Sequence, residues 1–214
     1  METFPYDTLK QFYKDWYRPD LMALSIVGDV RVDTIENLIQ KWFTKAVNPP
    51  NARPRIEFPI PDNDKPLVKV ATDKEYPYSI IQVYHKLPIK EQKTIGDYKH
   101  NIYTALFNGM LNARFEELMR KPDVPFTYAG SEYSDFIGRT KDCYSSMAMA
   151  KENKLKESLT ELVKVNSQVK EFGFTVSELE REKKSILAYY EKMANEKDKT
   201  ESKSLCDEYI RNIF

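Results

Sequence analysis

The chain has 214 residues, 41% of them hydrophobic and 31% charged, enough to bury a core without disulfide or metal staples. Thirty-three basic residues balance thirty-three acidic ones, so no global field favours nucleic acid or an anionic membrane. No apolar run approaches the roughly 20 residues of a membrane-spanning helix, which predicts no membrane insertion.

The opening segment METFPYDTLKQFY is neither a signal peptide nor a basic transit sequence. It enters a helical pattern almost at once, an abrupt start that predicts a piece of a longer protein. Leu9, Phe12, Tyr13 and Trp16 carry helical spacing over Asp7 to Tyr17, and Pro19 stops that helix near Arg18. The apolar run LMALSIV, Leu21 to Val27, closes on Gly28-Asp29 and predicts a buried strand. Asp33 and Glu36 form a capping-box pattern ahead of a helix whose stripe is Ile35, Leu38, Ile39, Trp42 and Phe43.

Between residues 48 and 66, Pro49, Pro50, Pro54, Pro59, Pro61 and Pro66 forbid a helix and predict an irregular strap. Leu67 to Ala71 and Ser79 to Leu87 then predict two strands. A long helix follows from about Thr94 to Arg120, with Ile102, Leu106, Met110, Phe115 and Leu118 inward. Gly109 in its middle costs about 1 kcal/mol relative to Ala and predicts close packing at that point.

Phe126 to Phe136 and Lys141 to Ala150 predict an antiparallel pair joined through Ile137-Gly138-Arg139. In its second strand Cys143, Ser145, Met147 and Met149 share a face. The last third is helical. Leu155, Leu159, Leu162, Val163 and Val169 form the predicted face of one helix, with Gly173 as its C-terminal cap. Thr175 and Glu178 make a capping box for a helix reaching about Glu196, and a short helix covers Ser202 to Ile213. The class is therefore α+β, an antiparallel or mixed sheet with helices packed on one face. No βαβ repeat or phosphate-binding glycine loop supports a doubly wound nucleotide fold.

Chemistry is sparse. Zinc hydrolysis needs three protein ligands and an open position, yet the only histidines are His85 and His100, and neither H-x-x-E-H nor H-E-x-x-H occurs. Cys143 and Cys206 form no metal-spaced pair and have no neighbouring histidine, and no G-x-S-x-G elbow is present. No catalytic or metal-binding residue is predicted within the chain.

The ordered segments carry a resemblance. LKQFYKDWYRPDLMALSIVGDV with DTIENLIQKWF resembles the stretch after the catalytic domain in zinc peptidases of the pitrilysin/insulinase family. VATDKEYPYSIIQVYHKLP resembles that family's paired strands, and LFNGMLNARFEELMRKPDVPFTYAGS its long helix and following strand. FGFTVSELEREKKSIL resembles a late helix start of the same family.

The resemblance implies a mitochondrial-processing-peptidase-like module, residues 1–214 as one non-catalytic domain, in the second position of the N-terminal half. It implies a catalytic module upstream carrying the zinc ligands, no cofactor in this chain, zinc in the parent enzyme, and a shared chamber for peptide substrate. Its alternative is a non-catalytic scaffold or partner subunit of the same fold. The chain carries no address, and the resemblance is compatible with export to the periplasm if the parent is bacterial. In the family's opposite half an Arg and a Tyr help bind substrate near the zinc. Arg120 and Tyr128 stand at a similar helix-to-strand junction, one residue further apart and with PDVP between them, and are the candidate substrate-binding residues.

Overall fold

The computed structural model describes residues 4–134 and 138–213. The chain divides into two compact units, Met1–Ile56 with Lys192–Phe214, and Glu57–Glu191.

The first unit holds α1 (Tyr6–Trp16), α2 (Val32–Phe43) and α6 (Ser202–Ile213). Both N-terminal helices form where apolar periodicity predicts them, yet Leu9, Phe12, Leu38, Trp42 and Phe43 remain exposed. Arg18 is the buried residue here, and its Nη2 donates to the Arg53 carbonyl at 2.6 Å. Two expectations fail. Leu21 to Val27 is not a strand: Pro19–Leu21 is a short 3₁₀ turn, and residues 22–27 pair with nothing in the sheet. A strand exists only through a neighbour that takes its N–H and C=O groups, which an apolar run alone does not supply. Asp33 is not the cap of α2 either. The helix starts one residue earlier with Arg31 at the N-cap, and the Arg31 guanidinium holds the Asp33 carboxylate at 2.6 Å.

The second unit contains the sheet. β1 (Ser79–Pro88), β2 (Phe126–Ser134) and β3 (Lys141–Ala150) are antiparallel in the order β1-β3-β2. The helices are α3 (Ile95–Met119), α4 (Leu155–Phe172) and most of α5 (Val176–Asn195). This is the α+β arrangement expected, and β3 has the predicted bounds. Leu67 to Ala71 is not a strand; Leu67, Val68 and Val70 are exposed and unpaired. The strap over 48–66 carries neither helix nor strand, as its prolines require. β2 ends at Ser134, and the predicted continuation through Phe136 and Ile137 lies outside the described residues.

α3 and α4 lie on one face of the sheet, around a core of Leu111, Phe115, Phe126, Ala129, Ala148, Leu162, Val165 and Val169. Met110 and Phe115 are buried as predicted, and Leu111 joins them. On α4 the sheet-facing stripe is Ser158, Leu162, Val165 and Val169, whereas Leu155, Leu159 and Val163 are exposed. The prediction followed the leucines, but Ala and Ser on the strands leave room for the helix to turn its small Ser158 inward, where its hydroxyl donates to the Pro125 carbonyl at 3.0 Å. Close packing at Gly109 is borne out: a Cβ there would collide with the Glu182 carboxylate of α5.

α3 begins with a capping box that the sequence reading missed, Thr94 with Asp97. The predicted box at Thr175 and Glu178 is present, with the Thr175 amide donating to Glu178 Oε2 at 2.6 Å. Gly173 caps α4 at φ 66°, a left-handed conformation that a Cβ would strain.

Candidate functional site: the open face of the sheet

The strands present two unlike faces because side chains alternate along them. Toward the helices point Ala129 and Ser131 of β2 and Ser146 and Ala148 of β3, all buried. Among the described residues of this unit no helix packs on the opposite face, and its rows follow from the register. Ile80, Met149 and Tyr128 form one row, Gln82, Met147 and Gly130 the next, then Tyr84, Ser145 and Glu132.

A bulge at Thr127 makes this pattern possible. The register slips between Phe126 and Tyr128, so Phe126 turns into the core while Tyr128 stands on the open face. Without the slip both would lie on one side. Tyr128 is 48% exposed, and its hydroxyl reaches over Gly130, 3.4 Å from where a Cβ would stand. The small floor of Gly130 and Ser145 between Tyr84, Tyr128 and Met147 leaves a depression of about 270 Å³, with Glu132 at its margin. Among the described residues Glu132 makes no ion pair. The far end of the face is closed. Ile60 donates its amide to Thr140 Oγ1, Asp62 pairs with Lys141 at 2.8 Å, and Lys86 Nζ donates to the Pro61 carbonyl. Cys143, predicted to share the face of Ser145, Met147 and Met149, is fully buried at this covered end.

The outer edge of β2 is also closed, by side chains. Asn108 and Asn112, four apart on α3, each offer an amide pair to the strand backbone as a neighbouring strand would. Asn112 accepts from the Ser131 amide at 3.1 Å and donates to the Ser131 carbonyl at 3.0 Å. Asn108 accepts from the Tyr133 amide at 2.9 Å and donates to the Tyr133 carbonyl at 3.0 Å. The depression is thus carried on a strand fixed from behind.

A buried polar chain holds the covered face. The Asn166 amide donates to Ser131 Oγ at 3.0 Å, Ser131 donates to Ser146 Oγ at 2.8 Å, and the Tyr144 hydroxyl donates to Asn166. Burial pushes the Tyr144 phenol above its ordinary range, so it stays a neutral donor. Behind it Arg114 clamps α3 to α5 through Glu178, at 2.6 and 3.0 Å, and reaches the Gly173 carbonyl at 2.9 Å. The Arg114 hydrogen bond holds the Glu178 carboxyl down at about 2. These partners are saturated by structure and leave no free acid or base.

Of the two predicted site residues, Tyr128 lines the depression and Arg120 does not; Arg120 is the exposed C-cap of α3. Sequence reasoning missed Tyr84, Gly130 and Glu132. The two-residue period that grouped Ser145, Met147 and Met149 was the signal available, but the face of β1 and β2 opposite them required the register. His85 lies on β1 beside the Tyr144 ring, and His100 on α3 beside Lys90 Nζ. Among the described residues no three His, Cys, Asp or Glu side chains come together to hold a metal, and no helix is long and apolar enough to cross a membrane.

The fold and this face define a helix-backed antiparallel sheet domain. Residues 3–186 match the family described as the Peptidase M16 inactive domain, and the chain belongs to that family. It is 25% identical over 215 residues to the zinc protease PQQL-like protein of Arabidopsis thaliana, covering 100% of this chain and 20% of that one. The periplasmic protease PqqL of Escherichia coli superposes with a TM-score of 0.80 at 18% identity, over 98% of this chain and 23% of that one. The separate structure of the first half of the same protease gives 0.78 at 18% identity, over 96% of this chain and 44% of that one. The chain spans about a fifth of the length of the curated relatives it matches.

Proposed function

We propose that this chain is the second, non-catalytic module in the first half of a zinc endopeptidase, where it walls a peptide-holding chamber. The likeness to the first half of PqqL and the membership of an inactive-domain family support that placement. The observation that carries it is the division of labour in the sheet: helices fasten one face, and the other offers tyrosines, a methionine and a carboxylate. Such a face contributes area and orientation to a bound peptide while the reacting bond lies elsewhere.

Zinc, with the water it activates, belongs in this reading to the preceding module of the same parent chain. That assignment fits a chain in which, among the described residues, no three His, Cys, Asp or Glu side chains come together. Tyr128 contacts substrate from the open face, and Arg120 contributes to substrate only through a surface outside the depression.

The test compares the parent protein and the 214-residue chain on an unfolded fluorogenic peptide with zinc. Zinc-dependent cleavage by the parent alone is the expected result, together with an H-x-x-E-H motif encoded in frame before residue 1. Cleavage by the isolated chain would overturn the non-catalytic assignment. A parent without zinc ligands or activity would leave a scaffold subunit in its place.

A further inference from the structure

We infer that the sheet of the second unit takes a further strand along the outer edge of β1, supplied by a segment of the parent protein outside these 214 residues with apolar residues at alternate positions. This rests on the reading of the chain as one module of a longer peptidase and names a surface by which the module joins the rest.

The two edges of the sheet are unlike. Asn108 and Asn112 close the outer edge of β2. β1 forms the other edge, and among the described residues nothing bonds to the N–H and C=O groups it turns away from β3. Nor is this edge blunted. β1 runs ten residues in unbroken register with β3, and Ser79 to Tyr84 carries neither proline nor charge. Bare edges are ordinarily defended by prolines, charges or bulges, so an undefended one calls for a partner.

α4 shows the same deficit on its own surface. Leu155, Leu159 and Val163, four residues apart on one helix face, are 50%, 39% and 52% exposed. Val163 lines a groove shared with Val83 and His85, so this stripe meets the sheet at β1. Beyond Val163 the groove turns polar at Ser167 and Lys170, which limits the apolar requirement to the part of the strand beside Leu159 and Val163. A strand laid against β1 pairs its backbone with the bare edge and sets alternate side chains against those two residues. One element thereby satisfies both surfaces, whereas a helix has no row of backbone groups to offer the edge.

The occupant is a fixed part of the same protein because both surfaces need permanent cover. A substrate strand would leave the edge and the stripe bare between turnovers, and bare apolar edges associate. The chain spans about a fifth of the length of its curated relatives, so most of such a protein lies outside it and can supply the strand.

The experiment compares amide hydrogen exchange in the 214-residue chain and in the parent protein, both without substrate. The β1 amides that point away from β3 are expected to exchange nearly unprotected in the chain and at least about ten-fold more slowly in the parent. Val163→Glu, at an exposed helix position, leaves the thermal melt of the isolated chain unchanged and removes most of that protection in the parent. Equal exchange in chain and parent, or protection in the parent that Val163→Glu leaves intact, would overturn the inference. Protection that arises only when an uncleaved peptide is added would make the edge a substrate site instead. Protection in the isolated chain that grows with its concentration would make it a self-association site, and either result sinks the proposal. Zinc-dependent cleavage by the parent is read separately, so the edge can fail while the domain assignment stands.

Discussion

The two faces of one three-stranded sheet are built from neighbouring residues of the same strands, and they have opposite chemistry. Toward α3 and α4 the strands show Ala129, Ser131, Ser146 and Ala148, small groups that let helices sit close. Away from them they show Tyr84, Tyr128, Met147 and Glu132, large or charged groups that line the depression. Small residues are on the side that must be filled by something else of the same domain. The difference teaches that the core is packed on one side of the sheet while the other is left with exposed side chains, with the Thr127 bulge as the point where β2 sorts its aromatic residues between them.

The comparison breaks most visibly if the covered face is emptied. Phe115 is fully buried, and Phe115→Ala is expected to cost about 3–5 kcal/mol in denaturant unfolding. The Arg114–Glu178 clamp comes next, at about 1.5–3 kcal/mol for Glu178→Gln, as for a charged hydrogen bond of modest exposure. Its sign with pH is fixed. Glu178 titrates at about 2 when folded, against 4.5 for an unperturbed group. The clamp's contribution is therefore full above about pH 4.5 and is lost as pH falls toward 2. An acid-unfolding series on Glu178→Gln should lack that part of the slope.

A smaller loss, about 1–2 kcal/mol, is expected for Asn112→Ala, which strands the Ser131 amide and carbonyl at the edge of β2. Protection of the Ser131 amide in hydrogen exchange should fall with it. Smallest is Tyr128→Ala on the open face, within about 0.5 kcal/mol by thermal melting, a shift typical of surface substitutions. A cost for Tyr128→Ala as large as that for Phe115→Ala would erase the distinction between the faces.

Much of this was legible in the sequence where a pattern is local. The Pro-rich strap, the α4 cap at Gly173, the box at Thr175 and Glu178, and β3 follow from one segment's own chemistry. Leu21 to Val27 and Leu67 to Ala71 show the limit, since apolar content does not provide a pairing partner. The α4 stripe was misjudged because Leu155 and Leu159 outweigh Ser158 in hydropathy, whereas fit to small strand residues decided the face. Tyr128 was found through resemblance alone. Gly130 and Glu132 became visible only with the register, because their neighbours Met147 and Ser145 come from another strand. Asn108 and Asn112 read as ordinary polar helix residues until the edge they close was in place.

The most direct test of the account is steady-state cleavage of an unfolded peptide by the parent protein carrying Tyr84→Ala and Tyr128→Ala together. A wall that holds substrate without taking part in the chemistry predicts a KM raised several-fold with kcat retained. A fall in kcat at unchanged KM would place these side chains at the reacting bond, and unchanged kinetics would remove the open face from the substrate path; either would contradict the account.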